Sequence, residues 1–456
     1  MNERAKDPLT SIISGFVFPL HETLKGHDSV RVLRGMERSQ WLPPEELSAL
    51  RVARLRRFLA TIGETVPYYR ELFARLPFDP ASVSGLADLT RLPTMGKAEI
   101  RANAERMKRP GARLRSMSTG GSTGSPLRFF LSAERISHDV AAKWRATRWW
   151  GVDIGDPEIV LWGSPIELGR QDRARLWRDR IIRSTLLPAF EMSNDRVKGY
   201  LAEIERRRPR MLFGYPSALA HLASAAIRER RSFRGRGIRV AFVTGEVLYP
   251  EQRRVIEEGF GCRVANGYGG RDAGFIAHEC PSGGMHLTAE DVIVELLGED
   301  GAPVPDGTRG EIAVTHLATA DFPFLRYRTG DMATAAAGDC PCGRTLPRLA
   351  AIEGRRTDFV VAADGTVMHG LSLIYVMREL PEIEAFRIVQ ESLDRTRVEV
   401  VTAGELSEGT RRTIEAGFRA RLGAGVRIDV ERVAAIAAAA SGKYRYVESR
   451  VAPPAG

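Results

Sequence analysis

Val240-Ala241-Phe242-Val243-Thr244-Gly245-Glu246 is an apolar run of strand type that ends in a glycine turn, and a helical pattern follows it at residues 251–259. The same order, strand and then helix, recurs between about residues 155 and 350. Three further strands are indicated there, at residues 158–162, 210–213 and 263–265. One further helix is indicated at residues 217–228. Strands that alternate with helices are typical of βαβ units. The sequence therefore predicts an α/β fold with a mixed, largely parallel sheet.

Turns that contain glycine follow three of these strands, at Gly214-Tyr215-Pro216, Thr244-Gly245-Glu246 and Gly267-Tyr268-Gly269. Ligands of parallel sheets bind in the crevice beyond the carboxyl ends of the strands. We therefore expect the three turns to meet at one binding site, on one edge of the sheet.

The two ends of the chain have a different character. Residues 1–110 are expected to be mainly helical, with apolar residues at helical spacing over residues 47–62. After about residue 355, a hairpin around Asp364-Gly365 and an alternation of short strands and helices indicate a compact α+β module. The sequence predicts two domains, at residues 1–354 and 355–456. The linker between them is placed at Gly354-Arg355-Arg356.

The composition is that of a globular protein, since 43% of the 456 residues are hydrophobic and 27% are charged. The formal net charge is +10, but the arginines are spread along the chain and no nucleic-acid-binding signature accompanies them. We therefore expect no nucleic-acid partner. No apolar run reaches the roughly 18 residues that a membrane-spanning helix needs. Four cysteines do not make a disulfide scaffold, so a reduced, cytoplasmic protein is expected.

Three stretches place polar residues beside glycines. Ser118-Thr119-Gly120-Gly121-Ser122-Thr123-Gly124-Ser125-Pro126 offers amides and hydroxyls to a polyphosphate, but it lacks the lysine of the GxxxxGK[ST] loop. Phe324-Leu325-Arg326-Tyr327-Arg328-Thr329-Gly330-Asp331 places a carboxylate after a tight turn, where it could accept both hydroxyls of a ribose. Ser441-Gly442-Lys443-Tyr444-Arg445 places a lysine near the end of the sequence. Taken alone, each has a simpler interpretation: a flexible loop, a strand with a Gly-Asp turn, and a solvated lysine.

Taken in order, these stretches form a larger pattern with Tyr268-Gly269-Gly270-Arg271-Asp272 and Gly354-Arg355-Arg356-Thr357-Asp358. The ordered set resembles the motifs of the adenylate-forming superfamily, which holds acyl-CoA synthetases, adenylation domains of peptide synthetases, and luciferases. Within it, the chain looks like the phenylacetate-CoA ligase family, closest to the branch associated with capsular polysaccharide biosynthesis. Finer marks of that branch are Val66-Pro67-Tyr68-Tyr69, Leu92-Pro93-Thr94, His278-Glu279-Cys280 and Asp339-Cys340-Pro341-Cys342-Gly343-Arg344.

The resemblance implies a large N-terminal domain that binds ATP and an acid, and a small mobile C-terminal lid domain. The residues that would hold the β- and γ-phosphates are Ser118, Thr119, Gly120, Gly121, Ser122, Thr123 and Gly124. Tyr268, with Gly269, would stack near the adenine, and Asp331 would bind the ribose. Arg355 would lie at the hinge close to the nucleotide. Lys443 would reach the α-phosphate and the attacking carboxylate during adenylation.

The chain departs from the superfamily at Arg271-Asp272, where Thr-Glu is usual and the Glu contacts Mg²⁺. The polysaccharide branch tends to carry Arg at the first of these positions. Asp272 is one methylene shorter than Glu, but it still offers a hard oxygen to Mg²⁺, directly or through a water. Arg271, Asp272 and Lys443 are the candidate catalytic residues. The change at Asp272 leaves open a catalytically inactive nucleotide-binding homologue.

The implied reaction converts a carboxylic acid and ATP into an acyl-AMP and pyrophosphate, and then transfers the acyl group to coenzyme A. Mg²⁺ and Lys443 would neutralise the charge that opposes attack of a carboxylate on a polyanion. A swing of the C-terminal domain would insert Lys443 for the first step and withdraw it for the second. An amine, a sugar or a carrier protein is the alternative acceptor. The expected partners are a small carboxylic acid and ATP. A homodimer is the oligomeric state that we expect.

The residues with metal-ligand chemistry are Cys280, His286, Cys340 and Cys342. Three thiols and one imidazole suit a tetrahedral structural Zn²⁺, and related ligases carry zinc at matching places. His278 is the rival fourth ligand, and three unrelated reduced cysteines are the alternative. Cys262, beside a strand, is expected to be an ordinary core residue.

The candidate acyl pocket follows from the convergent turns. Its residues are Trp162, Tyr215, Gly245, Glu246 and Gly267. Aromatic side chains there could face an aryl acid, although core packing is their commoner role. Gly245 and Glu246 support either the pocket or the nucleotide. The sequence leaves the identity of the acid open.

Overall fold

The computed structural model describes residues 7–118, 127–162, 178–189, 192–305, 307–353, 359–436 and 447–451. They form a mixed α/β structure in which helices accompany a large sheet, followed by a separate smaller α+β unit with its own hydrophobic core. The α/β class and the C-terminal α+β module predicted from the sequence are confirmed. Among the described residues, no helix combines the length and the apolar character needed to span a bilayer.

The N-terminal region is helical, as expected. Its α-helices are α1 (Pro8–Ile12), α2 (Phe18–Leu24), α3 (Ser29–Ser39), α4 (Pro44–Thr65), α5 (Pro67–Arg75) and α6 (Lys97–Asn103). The other helical segments are a π-helical turn and two 3₁₀ helices, at Ile13–Val17, Pro80–Ser82 and Leu86–Arg91. Proline occupies the first position of α4 and of α5, where its preset φ favours the helix and its missing N–H costs nothing. Leu55, Leu59 and Ile62 of α4 are fully buried in a core shared with the sheet.

Five parallel strands form one half of the central sheet. A separate hairpin of β1 (Arg115–Ser118) and β2 (Arg128–Leu131) precedes them in the chain. In spatial order the five are β4 (Ser184–Leu187), β3 (Glu158–Leu161), β5 (Met211–Gly214), β6 (Val240–Thr244) and β7 (Arg263–Gly270). The sequence predicts β3, β5 and β6 closely, but it misses β4 and ends β7 at residue 265.

Six antiparallel strands complete the sheet beyond β7. In spatial order they are β8 (Gly274–Glu279), β9 (Met285–Leu287), β13 (Arg348–Glu353), β12 (Phe324–Ala335), β11 (Arg309–His316) and β10 (Val292–Leu297). The expectation of a largely parallel sheet therefore holds for one half only. Only Arg271, Asp272 and Ala273 join β7 to β8, and a parallel crossover needs a dozen or more residues, so the chain must return antiparallel.

In the described part of the chain, four helices of more than ten residues accompany the parallel strands. They are α7 (Ala133–Trp149), α8 (Asn194–Arg207), α9 (Pro216–Arg228) and α10 (Pro250–Phe260). Periodicity predicts α9 and α10 but not α7 or α8. Ser132 and Ser193 begin those two helices, because each hydroxyl accepts a hydrogen bond from a backbone amide of the first turn. Leu222 of α9 and Ile256 of α10 are fully buried in a common core with Val264 of β7.

The C-terminal unit contains a two-stranded hairpin and a four-stranded sheet. Its elements are β14 (Phe359–Val361), β15 (Val367–His369), α11 (Leu371–Arg378), β16 (Ala385–Ser392), β17 (Arg395–Val401), α12 (Glu408–Leu422), β18 (Arg427–Arg432) and β19 (Val447–Ser449). The sequence does not predict β19, which pairs parallel to β16. The order of the four-stranded sheet is β18-β17-β16-β19, and the Lys443 stretch, which lies between β18 and β19 in the sequence, is outside the described residues. The expected boundary at residues 354 and 355 also lies outside them and stays a prediction.

Candidate functional site

The Gly330-Asp331 pair lies in the middle of β12, so the expected turn is wrong. Three residues of β12, Thr329 to Asp331, face the single residue Ile312 of β11 and form a bulge. Gly330 has a φ of +82°, a conformation that is costly for residues with a Cβ. The Thr329 hydroxyl donates to the Ile312 carbonyl at 3.0 Å, and the Gly330 amide donates to Glu311 at 3.1 Å. The bulge is thus a fixed part of the sheet.

Tyr268 and Asp331, the residues expected at the adenine and the ribose, are in contact. The Tyr268 hydroxyl donates to Oδ2 of Asp331 at 2.9 Å. Burial, together with the negative charge of Asp331, raises the pKa of Tyr268 well above its ordinary value. The hydroxyl therefore stays protonated at physiological pH and keeps its role as the donor.

Asp272 is held by a second tyrosine. The buried Tyr327 hydroxyl donates to Oδ2 of Asp272 at 2.7 Å, and the Ala273 amide donates to Oδ1 at 3.0 Å. Segments 268–272 and 327–331 therefore exchange two Tyr–Asp hydrogen bonds. Tyr327 is a site residue that the sequence analysis misses. The signal for it is its four-residue spacing from Asp331, which repeats the spacing of Tyr268 from Asp272.

The remaining residues expected at the nucleotide are only partly described. Arg271 is exposed at the tip of the β7–β8 hairpin, beside the half-buried Asp272. Ser118 ends β1, where it pairs with Arg128 of β2. The residues that lie outside the described part of the chain are Thr119, Gly120, Gly121, Ser122, Thr123, Gly124, Arg355 and Lys443.

Trp162 and Tyr215 form a stacked aromatic pair at the carboxyl ends of β3 and β5. Their ring centroids are 4.2 Å apart and their planes differ by 16°. Gly245, which follows β6, lies against both rings: a Cβ on Gly245 would lie 3.1 Å from Tyr215 and 3.2 Å from Trp162. Its φ is +86°, so glycine is favoured for its conformation as well as for space. The turns after β3, β5 and β6 therefore converge, as expected for parallel strands.

Glu246 and Gly267, the other two residues of the expected acyl pocket, make different contacts. The Ser217 hydroxyl, in the first turn of α9, donates to Oε2 of Glu246 at 2.5 Å. Gly267 lies inside β7 opposite Thr244, and a Cβ on Gly267 would lie 2.8 Å from the ring of Phe242. The expected turn at residues 267–269 is wrong, because β8 pairs with β7 as far as Gly270 and keeps these residues in the strand.

Cys280, His286, Cys340 and Cys342 come together, with their ligand atoms all within 4.8 Å of one another. The Sγ atoms of Cys280 and Cys340 are 3.7 Å apart, close to the roughly 3.8 Å between two thiolates on a tetrahedral zinc. Nε2 of His286 lies 3.2 Å from Sγ of Cys342, while Nδ1 faces the Leu346 carbonyl at 3.1 Å. Such a carbonyl orients a histidine so that Nε2 can bind a metal. The donor set and the distances fit a structural zinc ion.

The rival ligand His278 is not part of this cluster. His278 is buried directly opposite His286 in the β8–β9 ladder, and its ring stacks on Phe275, with centroids 5.4 Å apart. Cys262 is half-buried and packs against the core around β6 and β7, as expected. Burial lowers the pKa of His286 to about 4, so its imidazole is neutral at physiological pH, which is the form that binds metals.

Two family models match the chain. The model of AMP-binding enzymes matches residues 116–320, which include the β1–β2 hairpin, the parallel strands and Asp272. The CapK C-terminal domain matches residues 360–450, which correspond to the C-terminal α+β unit.

Related proteins and solved structures align with most of the chain. The phenylacetate-coenzyme A ligase of Thermus thermophilus is 27% identical over 364 residues, which are 75% of this chain and 77% of that protein. Protein CapK of Staphylococcus aureus is 22% identical over 413 residues, which are 89% of this chain and 90% of that protein. A 2-hydroxyisobutyryl-CoA ligase in complex with 2-HIB-AMP and CoA, in the thioesterification state, has the same fold, with a TM-score of 0.65, 22% identity and 91% of each chain covered. Residues 116–320 therefore match an AMP-binding domain and residues 360–450 a CapK C-terminal domain, and this arrangement, with these relatives, is consistent with the adenylate-forming superfamily of ligases.

Proposed function

We propose that this protein activates a small carboxylic acid with ATP as an acyl-AMP and then passes the acyl group to coenzyme A. The observation that carries the proposal is the pair of reciprocal contacts, Tyr268 to Asp331 and Tyr327 to Asp272, within a chain matched by the AMP-binding family model. Two carboxylates held in place in one site suit a nucleotide that carries both a ribose and a metal-bound triphosphate. The relatives named as phenylacetate-CoA ligases support coenzyme A as the acceptor.

In this proposal Asp331 accepts the ribose hydroxyls. Its Oδ2 is already oriented by Tyr268, which would present its ring to the adenine while its hydroxyl stays bonded to Asp331. The loop from Ser118 to Gly124 follows β1 in the sequence. It would surround the β- and γ-phosphates with amides and hydroxyls. Arg355 would lie at the hinge between the two domains.

Asp272 is the residue that we propose as the Mg²⁺ ligand. Among the described residues, each of its oxygens accepts one hydrogen bond, which leaves a lone pair on each for a cation or for a water on that cation. Mg²⁺, when bound, would neutralise charge on the triphosphate. Arg271, exposed beside Asp272, would add positive charge at the rim of the site. Lys443 would bring a further charge to the α-phosphate from the C-terminal unit.

The acyl pocket in this proposal is the surface formed by Trp162, Tyr215, Gly245, Glu246 and Gly267. The stacked rings of Trp162 and Tyr215 present a flat apolar wall, and Gly245 adds no side chain in front of it. A flat wall of this kind favours an aryl acid over a long aliphatic one, because aromatic rings pack well face to face with an offset. Glu246, tied to Ser217, would shape the pocket rather than bind the acid.

We also propose that Cys280, His286, Cys340 and Cys342 bind one structural zinc ion. Their role would be to join β8 and β9 to the segment before β13, because the four ligands come from these two parts of the chain. Thiolate ligands persist where thiols stay reduced, so a cytoplasmic location is part of this proposal.

The test is pyrophosphate exchange into ATP with a panel of aryl and aliphatic acids, followed by thioester detection with and without coenzyme A. We expect exchange with a subset of acids and a product that depends on coenzyme A. Exchange without any thioester would favour an amine, a sugar or a carrier protein as acceptor. No exchange with any acid would favour an inactive nucleotide-binding homologue, the alternative raised by Asp272. Light scattering of the same sample tests the homodimer.

A further inference from the structure

The tip of the β7–β8 hairpin, which carries Asp272, lies on a buried guanidinium group. Arg135, in the first turn of α7, is 1% exposed. Its Nη2 donates to the backbone carbonyl of Asp272 at 3.3 Å, and its Nε donates to Oδ2 of Asp139 at 2.9 Å. One arginine therefore connects a helix carboxylate to the backbone of the proposed Mg²⁺ ligand.

Gly274, which ends this tip, is packed tightly against the same groups. A Cβ on Gly274 would lie 2.5 Å from Nη2 of Arg135, 2.8 Å from Oδ1 of Asp139 and 3.0 Å from Nε2 of His316. The φ of Gly274 is +82°, so a side chain would be strained as well as crowded. The height of the tip above α7 is thus set by direct contact, without intervening space.

Burial of the Arg135 guanidinium at this contact lowers the stability of the fold. Nη1 of Arg135 is buried and has no hydrogen-bond partner among the described residues. Burial also raises the pKa of Asp139, the partner that balances the charge of Arg135. Buried charges that are incompletely satisfied reduce stability compared with apolar residues of the same size. If position 135 only packed the helix against the sheet, an apolar side chain would therefore give a more stable fold.

We propose that Arg135 is a positioning residue for Asp272. Arg135 fixes the backbone of Asp272 from below, and Tyr327 fixes its carboxylate from the side, so that the oxygens face the metal-bound triphosphate in one orientation. The inference rests on the proposed role of Asp272 toward Mg²⁺. A lysine could not replace Arg135, because a single ammonium group lacks the planar fork that reaches Asp139 and the Asp272 carbonyl together.

The test compares Arg135→Lys with Arg145→Lys. Arg145 lies on the same helix and is also 1% exposed, but its partner is Glu290, at 2.6 Å, and not the hairpin tip. Three quantities are measured for each variant and for the wild type: the melting temperature, the affinity for ATP with and without Mg²⁺ by calorimetry, and the Mg²⁺ concentration that gives half-maximal pyrophosphate exchange.

We expect both variants to melt at lower temperature. Only Arg135→Lys should raise the half-maximal Mg²⁺ concentration, by about tenfold, the usual effect of losing one hydrogen bond from a charged donor. The same variant should weaken binding of ATP with Mg²⁺ and leave binding of metal-free ATP within about twofold. An unchanged Mg²⁺ requirement in Arg135→Lys, or an equal change in Arg145→Lys, would overturn the proposal.

A substitute variant and a measurement that does not depend on activity complete the experiment. If Arg135→Lys does not fold, Asp139→Asn replaces it, and a smaller change in the same direction is expected because Nε of Arg135 loses its charged partner. If the wild type shows no exchange with any acid, the proposed function fails. The calorimetric comparison still decides the role of Arg135, because it needs only ATP and Mg²⁺.

Discussion

Tyr327 donates a 2.7 Å hydrogen bond to Asp272, although the two residues lie on strands that are not neighbours in the sheet. Tyr327 belongs to β12, and Asp272 follows β7. Three strands separate β7 from β12 in the sheet order, so a flat sheet would hold them roughly 19 Å apart. The antiparallel half must therefore bend to bring the two segments of the candidate site together.

The bond between Tyr268 and Asp331 leads to a prediction about the sugar of the nucleotide. We expect the wild type to use ATP about tenfold better than 2′-deoxy-ATP, because a hydrogen bond to a carboxylate is lost with the hydroxyl. Asp331→Asn should bring this ratio of kcat/KM close to one. Steady-state pyrophosphate exchange with both nucleotides measures the ratio. An unchanged preference in Asp331→Asn would remove the ribose role.

Tyr327→Phe and Tyr268→Phe should separate the two halves of the site. Tyr327→Phe removes the donor to Asp272, so we expect a higher Mg²⁺ requirement with an unchanged ratio of ATP to 2′-deoxy-ATP. Tyr268→Phe should lower that ratio and leave the Mg²⁺ requirement unchanged. Titrations of Mg²⁺ and of both nucleotides check the pair. Identical effects of the two variants would contradict separate roles for Asp272 and Asp331.

Gly245→Ala tests the acyl pocket against a matched glycine. Gly245 and Gly365 have φ values of +86° and +83°, but a Cβ on Gly365 meets nothing within 4 Å. Both alanine variants should lose about 1 kcal/mol of stability from backbone strain. Only Gly245→Ala should raise the KM for the acid, because its methyl group crowds Tyr215 and Trp162. Thermal unfolding and acid titrations measure the two effects; a similar KM change in Gly365→Ala would argue against the pocket.

Metal analysis checks the cysteine and histidine cluster. Protein purified without chelator should contain one zinc ion per chain. Cys340→Ser should lose the ion and lower the melting temperature, whereas Cys262→Ser, outside the cluster, should keep the ion. A zinc content near zero in the wild type would leave three reduced cysteines as the better interpretation.

Lys443→Ala addresses the step that we assign to the C-terminal unit. We expect loss of adenylation with little change in thioester formation from synthetic acyl-AMP, since in the proposed mechanism the lysine acts only in the first half-reaction. Lys198→Ala, at an exposed position of α8, is the control and should leave both half-reactions unchanged. Equal losses of both half-reactions in Lys443→Ala would speak against a lid that exchanges positions.

Sequence patterns alone predict the α/β class, the strands β3, β5 and β6, the C-terminal α+β module and the resemblance to the adenylate-forming superfamily. These features follow from local patterns: apolar strands of four or five residues, helical periodicity, and glycines at the ends of strands. The four zinc ligand candidates were also readable, because the knuckle at Cys340 and Cys342 is a local motif. The antiparallel direction of the strands after β7 was not predicted, because the sequence pattern ended β7 at residue 265 and so concealed the short connection at Arg271 to Ala273.

The contacts between distant segments are apparent only in the folded chain. The bulge at Thr329 to Asp331 depends on pairing with β11, and local sequence alone suggested a turn. The partnership of Tyr327 with Asp272, the exclusion of His278 from the cysteine cluster, and the position of Arg135 under the hairpin tip depend on the order and bending of eleven strands. Such contacts depend on the packing of elements far apart in the chain, and periodicity within a segment holds no information about them.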